Sequence, residues 1–376
     1  MRERIGDRPD GGAAYAVGST PEMLNRLDRI FPAKDDRAEV VLDFDAAMCG
    51  SRHRVIATPR LREWFQIKGP PWLPSSLLID LRDWLGHLWL IPFTLRHRSA
   101  ELIVVKGFRT SLLLVAMLGL RPFRKRLLFI VHHNLQFAHT RALGWTFKLL
   151  CRLGAQLAFL EGDEGLVELG IEKNDRQFVV LPLPLPVATS GLLEMRRRRL
   201  DRPLEIGIIG RDLREKNTDE LLQHLLRLQC AGQLPGRLFL ASDNAGLLAT
   251  WADKGIPTVG TRNYGNYLAA LARADVVIFN YARHFYFYRS SGVINDAASL
   301  GTAVVCPDYP IFRRQVTEPA RIGSLFATEK DILPALHEAL HIVRLESGNF
   351  DLWARARSAA EFSRRIDEFV DRRGQP

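Results

Sequence analysis

Eight short runs in this chain are apolar without alternation. Residues 102–105 (LIVV), 127–131 (LLFIV), 157–160 (LAFL) and 178–181 (FVVL) form a first series. Residues 204–209 (LEIGII), 237–241 (RLFLA), 276–279 (VVIF) and 303–306 (AVVC) form a second. A strand with one wet face alternates polar and apolar residues, so runs like these are read as buried on both faces. Helix-patterned segments separate them, near 110–118, 141–153, 163–169, 218–228, 267–274 and 293–300. Strand and helix in alternation predict parallel sheets with helices on both faces, an α/β fold.

The series breaks once. Pro182, Pro184 and Pro186 are followed by the arginine run 196–199, after which the pattern restarts. A chain of 376 residues exceeds one ordinary core, so the break reads as a linker between two domains. The expected division is 1–186, a linker over 187–203, a second domain over 204–345, and a C-terminal helical segment over 346–376. In that last segment Leu352, Ala356, Ala359, Phe362, Ile366 and Phe369 fall on one side of a helix over 349–372. A further helix is expected over 329–344. Residues 1–35 are weakly patterned, with one expected helix over 21–30, capped by Thr20. Strands are expected at 40–42 and 54–57, although 38–48 fits a helix equally well.

Charge narrows the partners. The net charge is +10, with 47% hydrophobic and 25% charged residues, which favours anionic ligands or surfaces. Nucleic acid is not expected, because no recognition motif or aromatic–basic stripe accompanies the charge. Cys49, Cys151, Cys230 and Cys306 are far apart, so neither a disulfide framework nor a metal site is expected, and a cytoplasmic location fits. No signal peptide and no bilayer-spanning run are read. Residues 77–95, rich in leucine with Trp84 and Trp89 beside Arg82, Arg96, His97 and Arg98, read either as a core-packing helix or as an interfacial one. With the basic residues at 121–126 and 196–199, the second reading would suit peripheral docking on an anionic membrane leaflet. Solvated faces are the alternative for those clusters.

Two loops in the second domain point to a phosphate ligand. One follows the 204–209 strand and carries Gly210, Arg211 and Lys216. The other leads into the 293–300 helix and carries Tyr288, Arg289, Ser290, Ser291 and Gly292. Unpaired N–H groups at a helix start favour an anion, and fixed cations beside them would suit a diphosphate. Each loop alone is equally an ordinary basic or serine-capped loop.

Together these loops resemble the GT-B glycosyltransferases of the family-4 type. Residues 210–217 (GRDLREKN) are similar to that family's diphosphate loop, and 275–308 to its donor-binding block. Residues 127–134 are similar to its first-domain strand ending in HN or HD, and the terminal helix with Trp353 to the helix that crosses back to the first domain. The resemblance implies two Rossmann-like domains facing across a cleft, and sugar transfer from a nucleoside-diphosphate sugar. The acceptor would be a glycan or a polyprenyl-diphosphate-linked sugar in bacterial surface or exopolysaccharide synthesis. It implies a retaining reaction with no metal or other cofactor.

By the same resemblance, Arg211 and Lys216 neutralise the diphosphate, with Arg289 a further cation. Ser291, Gly292 and Val293 present N–H groups to it, and Asp296 holds the ribose hydroxyls. Tyr264 is a candidate for the base pocket. His132 and His133, at a strand end, are candidates for sugar contact or proton transfer, and structural capping is the alternative. Lys106 is a candidate for an acceptor phosphate. One position departs from the pattern. Tyr288 stands where the family has an acidic residue that contacts the transferred sugar, and a phenol supplies hydrogen bonds but no carboxylate. A catalytically inactive GT-B-like binding protein therefore remains the second reading.

Overall fold

The structure is a computed structural model. It describes residues 54–57, 75–106, 108–132, 134–139, 141–185, 203–210 and 216–374. The expected helix at 21–30, the expected strand at 40–42 and nearly all of the expected linker lie outside the described residues.

The first unit runs β1 (Arg54–Ala57), α1 (Ser75–Arg96), β2 (Leu102–Val105), α2 (Thr110–Leu120), a 3-10 segment (Arg121–Arg126) and β3 (Leu127–Val131). It continues through α3 (Asn134–Ala138), α4 (Arg141–Arg152), β4 (Gln156–Leu160), α5 (Gly165–Glu168) and β5 (Phe178–Leu181). Its five strands pair in parallel in the order β1-β2-β3-β4-β5. Successive side chains point to opposite faces of a sheet, and both faces are covered here. Ile103, Val105, Phe129, Val131, Leu157 and Phe159 face one core with α2 and α4, whereas Leu102, Val104, Leu128, Ile130, Ala158 and Leu160 face another. That double burial is why these strands show no polar alternation.

The second unit runs β6 (Glu205–Ile209), α6 (Thr218–Cys230), β7 (Arg237–Ser242), α7 (Ala245–Ala252), β8 (Thr258–Gly260), α8 (Tyr264–Arg273) and β9 (Val276–Ile278). Then come α9 (Arg283–Tyr286), α10 (Gly292–Ser299), β10 (Ala303–Pro307), α11 (Pro310–Thr317), β11 (Gly323–Phe326) and α12 (Ile332–Leu345). Six parallel strands take the order β11-β10-β9-β6-β7-β8. The strand order reverses between β6 and β9, so the crevice outside their carboxyl ends is the natural place for a ligand.

The chain closes with α13 (Gly348–Arg355) and α14 (Ala359–Gly374). The continuous helix expected over 349–372 is thus two helices, broken at 356–358. The break marks a change of partner. Phe350 and Trp353 belong to the second unit's core, whereas Phe362, Ile366 and Phe369 are fully buried on the first unit's sheet. The C-terminal helix does cross back.

A buried ion pair sits at that crossing. Arg357 Nη2 lies 2.7 Å from Glu161 Oε2, with both side chains 4% exposed. Glu161 Oε1 also accepts from Leu183 N–H at 2.9 Å, Arg357 Nη1 donates to the Glu318 carbonyl at 2.9 Å, and the guanidinium stacks 4.0 Å from the Trp353 ring. Both charges are therefore hydrogen-bonded as well as paired, the condition under which a buried pair is tolerated.

Candidate functional site

The crevice at the β6/β9 reversal is lined by Gly210, Lys216, Thr218, Ser242, Asn280 and Tyr281 among others. Gly210 leaves β6 with φ 137°, and a Cβ there would lie 2.7 Å from Lys216 Nζ. The backbone conformation there favours glycine, and the ammonium lies close against it. Lys216 Nζ also lies 5.9 Å from the centre of the Tyr281 ring. Tyr281 stacks on Tyr286 at 4.1 Å, and the Arg289 guanidinium sits 4.5 Å from the Tyr286 ring. Two stacked rings therefore connect the two cations. Arg289 Nε and the neighbouring Ser290 Oγ are buried with no hydrogen-bond partner.

The start of α10 lies just beyond. The backbone N–H groups of Gly292 and Val293 open the helix, where no intrahelical acceptor exists, and the space beside the Gly292 Cα is empty to 4 Å. Ser291 departs from expectation. Its N–H donates to Gln315 Oε1 at 3.1 Å, and its hydroxyl lies 3.0 Å from the Tyr281 hydroxyl. Gln315 Nε2 in turn donates to the Ser291 carbonyl at 2.8 Å and to Asn295 Oδ1 at 2.6 Å. Ser291 is thus a buried cap tied to the core, and anion-facing N–H groups begin one residue later.

On the next turn of α10, Asp296 Oδ2 accepts a 2.8 Å hydrogen bond from the Tyr267 hydroxyl. Burial and that carboxylate push the Tyr267 pKa well up, so the phenol stays a neutral donor. The Tyr264 ring lies 5.8 Å from Tyr267. Asp296, Tyr267 and Tyr264 form one group on α8 and α10.

The sequence matches no protein-family model and no curated relative. Solved structures do resemble it. The Anabaena Alr3699/HepE structure in complex with UDP-glucose matches with TM-score 0.54 and 13% identity, over 91% of this chain and 98% of that one. A Burkholderia xenovorans α,α-trehalose-phosphate synthase (UDP-forming) in complex with glucose-6-phosphate matches with TM-score 0.56 and 13% identity, over 80% of each chain. WaaG, a glycosyltransferase involved in lipopolysaccharide biosynthesis, matches with TM-score 0.51 and 13% identity, over 90% of this chain and 97% of that one. Each likeness covers four-fifths or more of this chain. The chain has the GT-B fold.

Within this GT-B fold the other expected site residues fall unequally. Arg211 and His133 lie outside the described residues. His132 follows β3 and Lys106 follows β2, so both stand at the carboxyl edge of neighbouring strands and both are half-buried. Tyr288 corrects the sequence reading. Rather than facing a sugar, its ring belongs to the first unit's core, stacked 4.2 Å from His139 and in contact range of Gly165. The Tyr288 N–H donates to Gln136 Oε1 at 2.7 Å, and Gln136 Nε2 donates to the His284 carbonyl at 3.0 Å. Its hydroxyl is enclosed, and burial together with Glu168 raises its pKa. Tyr288 is a plug between the two units. Tyr281, Tyr286, Gln136 and Gln315 were not singled out from sequence. Only Tyr281, standing just past a strand end, carried a local signal.

Proposed function

We propose that this protein is a glycosyltransferase that takes a sugar from a nucleoside-diphosphate donor bound at the β6/β9 crevice. The observation that carries the reading is Lys216 in the lining of that crevice, joined through the stacked Tyr281 and Tyr286 rings to the Arg289 guanidinium and through the Tyr281 and Ser291 hydroxyls to the start of α10. A departing diphosphate gains charge as the glycosidic bond breaks. Cations and dipoles already in place stabilise that charge without reorganising. Arg211 would join them. In this reading these groups carry the neutralisation without a divalent ion. Asp296, oriented by Tyr267, would accept from the ribose hydroxyls, and Tyr264 would lie along the base. His132, His133 and Lys106, at the first unit's strand ends, would meet the sugar and an acceptor that is a glycan or is lipid-linked. Retention of configuration and a place in bacterial surface-polysaccharide synthesis belong to the same proposal. Release of free sugar, or transfer to a lipid-linked acceptor, over a panel of uridine-, guanosine- and thymidine-diphosphate sugars tests it.

The second reading is a GT-B protein that binds a glycan or protein partner without turnover. The enclosed Tyr288, at the position where the resemblance places an acid, favours it. Nucleoside-diphosphate binding with no turnover of any donor in that panel would select it over the enzyme.

A further inference from the structure

The outer helical layer of the first unit exposes apolar side chains on two helices. On α1, Asp83, His87 and Thr94 are buried beside Leu90 and Phe93, whereas Trp84, Leu85, Leu88 and Leu95 are 40–52% exposed. Asp83 and His87 tie the helix to Arg109, just before α2. Arg109 Nε pairs with Asp83 at 2.8 Å, His87 Nδ1 lies 2.6 Å from the Asp83 carbonyl oxygen, and Arg109 N–H donates to His87 Nε2 at 2.9 Å. Beside it, α2 approaches so closely that a Cβ on Gly119 would lie 2.8 Å from Ile91 Cδ1, and it exposes Val115 and Leu118. These two helices hold six of the eleven large apolar side chains exposed among the described residues. The basic 3-10 segment RPFRKR follows α2 directly, with none of its side chains buried.

Charge concentrates in the same stretch. Residues 84–160 contain eleven lysines and arginines and one acid, Glu101. That excess of ten equals the net charge of the entire chain. We propose that this face docks on an anionic lipid surface. The apolar sides of α1 and α2 enter the headgroup region, and Arg121, Arg124 and Lys125 meet lipid phosphates. Contiguous exposed apolar surface on a folded domain marks an interaction site, and the adjoining cations select a negative one. No helix among the described residues is long and apolar enough to cross a membrane, so the chain lies on the surface through this layer. A two-fold dimer through the same face fits less well, because it would set one basic segment against the other. The inference is independent of the donor site.

Co-sedimentation of the full chain with vesicles tests it, using phosphatidylcholine alone or in equal parts with phosphatidylglycerol. The full chain should bind only the anionic vesicles, and less as salt rises. Replacing Arg121, Arg124 and Lys125 by serine should lower binding about tenfold or more. Leu88→Ser with Leu118→Ser should lower it separately, while both variants keep the parent circular dichroism and unfolding midpoint. Equal binding to neutral vesicles, binding to neither, or indifference to both sets of substitutions would overturn the proposal. So would a concentration-dependent dimer that the leucine substitutions dissociate.

Discussion

At the scale of residues, the account rests on a few side chains with separable roles. Lys216→Ala removes the ammonium that Gly210 admits, and turnover of the donor should fall about a hundredfold or more, the usual cost of removing one fixed charge-stabilising group. Tyr267→Phe deletes the hydrogen bond to Asp296 and leaves the ring. A bond to a charged group contributes about 1.5–3 kcal/mol, so nucleotide affinity should weaken about tenfold with turnover at saturation little changed, as isothermal titration and steady-state kinetics would report. Tyr288→Phe separates packing from chemistry. The ring is retained in the first unit's core, so activity should stay within about twofold, whereas Tyr288→Ala should lower stability by about 3–5 kcal/mol through the cavity it leaves. A large loss of activity in the phenylalanine variant would restore the catalytic role that the sequence suggested. Local pattern does not record which of two units a ring enters, because the receiving contacts, Gln136, His139 and Gly165, lie more than a hundred residues away. Ser291 was misread for a similar reason, since its partner Gln315 sits on α11 with no periodic signal of its own.

At the scale of elements, legibility followed burial. The strands β2 to β5 are covered on both faces and stood out as uninterrupted apolar runs. The short β8 (TVG) and β11 (GSLF), which mix glycine, threonine or serine with few apolar residues, did not. The break between α13 and α14 was also invisible, because apolar residues recur on one side through both helices while the partner changes from one sheet to the other. Arg357 stands in that break, and its pair with Glu161 holds the crossing. Arg357→Ala leaves Glu161 buried without its cation, so unfolding free energy should drop about 3–5 kcal/mol. Exchanging both residues for leucine should restore much of the loss, since the cost comes from the uncompensated charge. Denaturant titrations of the single and double variants would measure the difference. Equal losses in both would show that the pair itself, rather than the orphaned charge, sets the stability.

At the scale of the whole molecule, the contacts that join the two units include the crossing helix α14, the buried pair at its start, the Arg314–Glu164 pair and the Tyr288 plug with its glutamine clamp. Asn295 Nδ2 adds a 2.8 Å hydrogen bond to the Leu183 carbonyl, tying α10 itself to the end of the first unit. The helix proposed to receive the diphosphate is thereby fixed to both halves. Everything proposed for the second unit depends on a nucleoside diphosphate binding at the β6/β9 crevice. Amide hydrogen exchange of the full chain, with and without saturating uridine, guanosine or thymidine diphosphate, tests it most directly. Protection by at least one of them is expected at 208–218 and 290–297, lost in Lys216→Ala. Protection confined to the first unit, or none with any of the three, would contradict it.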